Sequence, residues 1–108
     1  MSKPNAQSAR VEPARGEPFL FRLYIAAGTP NSGYAIANLE AVCREYLRDR
    51  HQIEIVDFLQ EPLRSLGEGV LVTPTLVKLS PLPMRTIVGD LSDTSIVLHE
   101  LGLEEGAK

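Results

Sequence analysis

Phe19-Leu20-Phe21-Arg22-Leu23-Tyr24-Ile25-Ala26, running into Ala27-Gly28-Thr29-Pro30-Asn31-Ser32, is the stretch that decides the fold. The first eight residues are almost continuously apolar and rich in β-formers, which predicts a strand covered on both faces. The next six are turn chemistry. A helix is expected to follow, capped by Asn31 or Ser32, because Ile36, Leu39, Val42, Cys43, Tyr46 and Leu47 recur at intervals of three and four and form one stripe.

Downstream, Ile53-Glu54-Ile55-Val56-Asp57-Phe58 reads as a second strand, with Ile53 and Ile55 on one face and Glu54, Val56 and Phe58 on the other. Pro62 suits the first position of a short helix, and Gly67 and Gly69 stop it. Val70 to Leu79 holds a third strand interrupted by Thr73-Pro74-Thr75. After Ser80-Pro81-Leu82-Pro83, a fourth runs from Met84 to Val88. Gly89-Asp90 turns the chain, and Ser92 or Asp93 caps a last helix with Ile96, Val97, Leu98 and Leu101 at helical spacing. The order is β-α-β-α-β-β-α. Strands separated by helices pair in parallel through right-handed crossovers, whereas the last two form an antiparallel hairpin. This is an α/β fold of thioredoxin-like layout, a four-stranded mixed sheet with helices on both faces.

Upstream, residues 1–18 hold Pro4, Pro13 and Pro18, mixed charges and almost nothing apolar. Such a stretch cannot bury enough surface to offset its ordering entropy, so it reads as a disordered tail before a domain over residues 19–108. A binding arm is the other reading, disfavoured by the near balance of its charges. The 108 residues suffice for one core without disulfides. A net charge of −3 gives no electrostatic reason for a nucleic-acid partner. No apolar run approaches a membrane span, and the N-terminus lacks the apolar core of a secretory signal, so the expected location is cytoplasmic.

Redox catalysis lacks its nucleophile. In a thioredoxin the loop between the first strand and first helix carries two cysteines, and the helix N-terminus lowers the thiol pKa. Here that loop is Gly28-Thr29-Pro30-Asn31-Ser32. Cys43, the only cysteine, sits on the apolar stripe and reads as a small buried hydrophobe. Thr73-Pro74 matches the position where thioredoxin-like proteins place a cis-proline, so a cis bond is expected there. His51 and His99 have no histidine or cysteine at ligand spacing, so no metal or cofactor is expected. Glu40, Glu45, Asp49 and Asp57 read as solvated or capping charges, and the glycine loop has no P-loop lysine.

Three ordered blocks resemble the KaiB family. They are Leu23-Tyr24-Ile25-Ala26 with Thr29-Pro30-Asn31-Ser32, then Val72-Thr73-Pro74-Thr75-Leu76-Val77-Lys78, then Pro81-Leu82-Pro83-Met84-Arg85 with Ile87-Val88-Gly89-Asp90-Leu91-Ser92-Asp93. The match runs from about Phe19 to Leu103. Departures are Ala27-Gly28 in the first loop, the weakly charged Leu63–Gly69 segment, and an acidic tail reduced to Glu104-Glu105.

The resemblance implies a non-catalytic regulator that binds a KaiC-like ATPase ring and meets KaiA or competes with a SasA-like histidine kinase. It also implies a metamorphic chain whose second half refolds between a tetrameric ground state and a monomeric thioredoxin-like form. Two packings a few kcal/mol apart suffice for that. Asp90-Leu91-Ser92-Asp93 is good cap chemistry and the following periodicity is helical, so the thioredoxin-like, mainly monomeric form is the expectation. The ground-state fold with a rearranged C-terminal half is the alternative. Thr73, Pro74, Arg85, Gly89, Asp90, Leu91 and Ser92 are the fold-switch candidates. In the usual thioredoxin strand order the second strand is an edge, open to β-augmentation, which makes Ile53, Glu54, Val56, Phe58, Pro62, Arg64 and Leu66 the partner-binding candidates. Competing readings are a degenerate thiol enzyme, the sensor domain of a SasA-like kinase (disfavoured because no kinase core follows), and a stress-adaptation protein.

Overall fold

A computed structural model of the chain describes residues 17–103. The tail expected over residues 1–18 lies, except for its last two residues, outside the described residues, as does Glu104-Glu105. Phe19–Ile25 forms β1. The period of two in a strand sends Phe19, Phe21, Leu23 and Ile25 into one buried cluster and Tyr24 into another on the opposite face. β1 pairs in parallel with β2 (His51–Asp57), from Phe19↔His51 to Ile25↔Asp57. On its other side it pairs antiparallel with β3 (Thr75–Ser80). β4 (Arg85–Val88) extends the sheet antiparallel to β3, giving the order β2-β1-β3-β4. The fold is therefore the expected thioredoxin-like one, with the hairpin and the parallel pair where the chain order requires them.

The main core lies on one face. α1 (Pro30–Val42), continued by a π-helical turn over Cys43–Leu47, buries Ala35, Leu39, Val42, Cys43 and Leu47 there. α3 (Thr94–Leu101) adds Val97 and Leu101 to the same cluster, as the apolar stripes anticipate. Among the described residues, the opposite face carries only α2 (Pro62–Gly67) and a small cluster of Tyr24, Val56 and Val70. Helices do lie on both faces, but six residues of α2 cover only part of the second.

Four local expectations are corrected. α1 is capped two residues before Asn31 and three before Ser32: Thr29 occupies the N-cap position and Pro30 follows it, its fixed φ preset for the first helical turn. Ser32 is consequently buried inside the helix, where its Oγ accepts from the Ala26 N–H at 2.9 Å. β2 begins at His51 and ends at Asp57, leaving Phe58 outside the strand, because the parallel register starts opposite Phe19. β3 begins only at Thr75, since Val70 donates back to the Ser65 carbonyl and Pro74 has no N–H to give a ladder. β4 starts at Arg85, not Met84.

Lys78 is the anomaly of the core face. It is 5% exposed, sits opposite Phe21 and Arg85, and its Nζ lies 5.7 Å from the Phe19 ring centroid. Burial, and then the charge of Arg85, hold its pKa below the usual lysine range. A depressed lysine pKa means that the unfolded chain binds the proton more tightly, so the penalty is full at neutral pH and fades as pH rises toward about 10.4. Lys78→Met, which keeps the stem and removes the charge, is expected to raise unfolding stability by about 1 kcal/mol at pH 7. Urea denaturation measures this, and a loss of stability would show that the cation–π contact outweighs the desolvation.

Candidate functional site

β2 is an edge: β1 occupies one side, and no described strand occupies the other. Of the candidates on it, Ile53 packs half-buried against the main core and Val56 is fully buried on the second face. Ile55, on the same face as Ile53, remains 45% exposed. Phe58 lies just past the strand, half-buried against Tyr24 and Val56, with its N–H donating to the Ile25 carbonyl at 2.7 Å. Asp57 turns the chain here, since its Oδ1 accepts from the Leu59 N–H at 3.0 Å and the Ala27 N–H at 3.3 Å.

A charge network joins this edge to α2. Arg22 Nε donates to Glu54 Oε1 at 2.9 Å, and Arg64 Nη2 to Glu54 Oε2 at 3.0 Å. Arg64 also meets Glu61 and Glu68 at 3.3 Å each, and Arg22 reaches Glu68 at 3.5 Å. The Tyr24 hydroxyl donates to Glu68 as well. One carboxylate between two guanidiniums is strongly favoured in its charged form, so Arg22 and then Arg64 hold Glu54 below the usual carboxylate range. Tyr24 first, then Arg64 and Arg22, do the same for Glu68. Burial and the bond to Glu68 push the Tyr24 phenol up.

Of the candidates on α2, Arg64 is tied to β2 through Glu54, Pro62 opens the helix and Leu66 is about half exposed. Leu63 (83% exposed) and Leu71 (79%) were not foreseen. Leu71 lines an open apolar cleft of about 380 Å³ with Ala26, Phe58, Leu59, Val72 and Thr73. Arg22, Tyr24, Glu61 and Glu68 were also missed as parts of this face. An arginine inside an otherwise apolar strand was the available signal, because such a charge needs a carboxylate nearby.

The fold-switch candidates gather elsewhere, around β3 and β4. The Thr73–Pro74 bond is cis, as expected, and the Gly89 N–H donates to the Pro74 carbonyl at 3.0 Å. Arg85 is exposed at the start of β4. Asp90 Oδ1 accepts from the Ser92 N–H at 3.0 Å, and the Ser92 hydroxyl first, then this N–H, hold the Asp90 carboxyl below its usual range. Its carbonyl accepts from Asn38 Nδ2 of α1 at 2.9 Å. Leu91 is buried with φ +64°, a left-handed conformation that side chains rarely adopt. Asp93 caps α3, accepting from the Ile96 N–H at 3.3 Å. Only Thr73 reaches the cleft near the partner-binding set; β2 and β4 are opposite edges of one sheet.

At the loop where a redox centre would stand, Thr29 Oγ1 donates to the Ala26 carbonyl at 2.8 Å, and Gly28 takes φ +87°. Cys43 is fully buried and desolvation pushes its thiol up to about 11, away from nucleophilic character. Among the described residues, no helix is long and apolar enough to cross a membrane.

The charge network gives a pH prediction. Glu54 and Glu68 have folded pKa values below their unfolded ones, so their contribution is present above about pH 4.3 and is lost as pH falls through the lower folded values. Arg64→Ala is expected to flatten the acid side of a melting-temperature profile while leaving the Lys78-dependent alkaline side unchanged. Parallel acid limbs in both proteins would contradict the assignment.

The KaiB domain model matches residues 22–103. The chain is 45% identical over 85 residues to the circadian clock protein KaiB3 of Synechocystis, covering 79% of this chain and 81% of that one. It is 38% identical over 88 residues to the circadian clock oscillator protein KaiB of Synechococcus, covering 82% and 86%. In structure it is similar to the N-terminal domain of Synechococcus elongatus SasA, with a TM-score of 0.66, 21% identity and coverage of 93% and 98%. A chloroplastic thioredoxin z superposes with a TM-score of 0.67 at 19% identity, over 83% and 81%.

Proposed function

Since the chain belongs to the KaiB family, we propose that it is a non-catalytic clock regulator that works in the cytoplasm by docking on a KaiC-type ATPase ring. The observation that carries this reading is the open β2 edge with α2 clamped beside it. An unpaired parallel edge offers backbone donors and acceptors to an incoming strand, and exposed Leu63 and Leu66 supply side-chain contacts next to it. Arg64 has two roles here: it positions α2 on Glu54 and presents charge at the rim of the surface. On the ring the protein would meet KaiA or compete with a SasA-like kinase.

Within this reading the free chain is mainly monomeric and holds the thioredoxin-like packing. The segment from Gly89 to Ser92 is its conformational hinge. Leu91 stays in a disfavoured backbone region because its side chain is buried and Asn38 fastens the neighbouring carbonyl. The tetrameric ground-state fold is the competing packing. Secondary chemical shifts of the free protein are expected to be helical over Thr94–Leu101; extended shifts there, or a tetramer in sedimentation, would remove this part.

The docking itself is tested by pull-down against a KaiC-type ATPase. Leu66→Ala and Arg64→Ala are each expected to weaken capture about tenfold, equivalent to about 1.4 kcal/mol. Wild-type capture by both variants and by Phe58→Ala would refute the proposed surface. Insulin reduction separates the thiol-enzyme reading: no turnover is expected from the wild type or from Cys43→Ala.

A further inference from the structure

The C-terminal end of α1 holds a second set of charged groups, away from the face described above. α2 follows the C-terminal end of β2, whereas this set precedes its first residue, His51. An open cavity of about 630 Å³ is lined by Glu40, Arg44, Arg48, Asp49 and His51. Three irregularities converge on it. The helix widens into a π turn over Cys43–Leu47, a feature found often at functional sites. Arg48 takes φ +29°, which is unfavourable for a residue with a Cβ. His51 Nδ1 is shielded from solvent and has no hydrogen-bond partner among the described residues. Buried polar atoms of this kind are uncommon and call for an explanation.

The charges lining the cavity are also unspent. Neither Arg44 nor Arg48 takes part in the Arg22–Arg64 network of ion pairs. Two guanidiniums offer planar forks that suit phosphate oxygens. Glu40 and Asp49 repel a bare anion, but a carboxylate accepts from hydroxyl groups. The ligand chemistry that satisfies both halves is anionic at one end and hydroxylated at the other. The volume falls in the range usual for small-molecule sites.

We propose that this cavity binds a sugar phosphate, its phosphate on Arg44 and Arg48 and its hydroxyls on Glu40 and Asp49. His51 reports occupancy because it lines the same space. The site meets the β2 edge only at its first residue, His51, and includes none of the other partner-binding candidates.

The test is a titration of the full chain with ribose 5-phosphate, followed by the imidazole and arginine side-chain resonances, with inorganic phosphate and ribose as separate arms. Saturable shifts at His51 are expected, with a Kd on the order of 1 mM or tighter. Ribose 5-phosphate is expected to bind more tightly than either fragment. The double variant R44Q/R48Q, whose changes are on exposed side chains, is expected to bind at least about tenfold more weakly with an otherwise unchanged backbone spectrum. E40Q/D49N is expected to lose the preference over inorganic phosphate. Absence of saturable shifts up to about 10 mM, equal affinity for inorganic phosphate, or undiminished binding by R44Q/R48Q would each overturn the assignment.

Discussion

β1 imposes the constraint on which the remaining structure depends. It is hydrogen-bonded on both edges and buried on both faces, and its alternation divides the molecule in two. Four large side chains on one face define a core broad enough for α1 and α3. The other face receives Leu20, Arg22 and Tyr24, of which two are polar at their tips. A strand built this way cannot accept a second broad apolar layer. It accepts a short helix attached by charge, and α2 is that helix.

The proposed docking surface follows from that asymmetry. Exposed ion pairs individually contribute little to stability, so the network around Arg22, Glu54 and Arg64 is better understood as fixing geometry. It sets the position of α2 relative to the β2 edge with five contacts among five side chains. What remains beside it is a rim of exposed leucines and a strand edge with no partner among the described residues. In the thioredoxin z to which the sheet is similar, the same fold belongs to a thioredoxin; here the corresponding loop contains no sulfur and Cys43 is sealed in the core.

Much of this was legible in the residues. The near-continuous apolar run at Phe19 required a central strand, the three- and four-residue spacing through Leu47 required a helix, and the missing cysteines were plain to read. Boundaries were less so. Pro30 shifted the start of α1 because its preset φ competes with the capping preference of Asn31 and Ser32, and no local signal ranks the two. The strand assigned to Val70 failed because the N–H of that residue bonds back to the Ser65 carbonyl five positions earlier and closes the end of α2. The charge network was invisible for a different reason: Arg22 and Glu68 are forty-six positions apart and meet only through the fold. The cavity at His51 was likewise missed, because Arg44, Arg48 and Asp49 read as ordinary solvated charges until the helix end turned them together.

The central claim is that the β2 edge is the surface on which a partner strand settles. Amide hydrogen exchange of the chain, free and bound to a KaiC-type ring in the presence and absence of KaiA, measures it directly. The account predicts that outward-facing amides within His51–Asp57 exchange rapidly in the free protein and become strongly protected in one of the assemblies. Unchanged exchange along that strand in every assembly, with protection appearing at Arg85–Val88 instead, would contradict it.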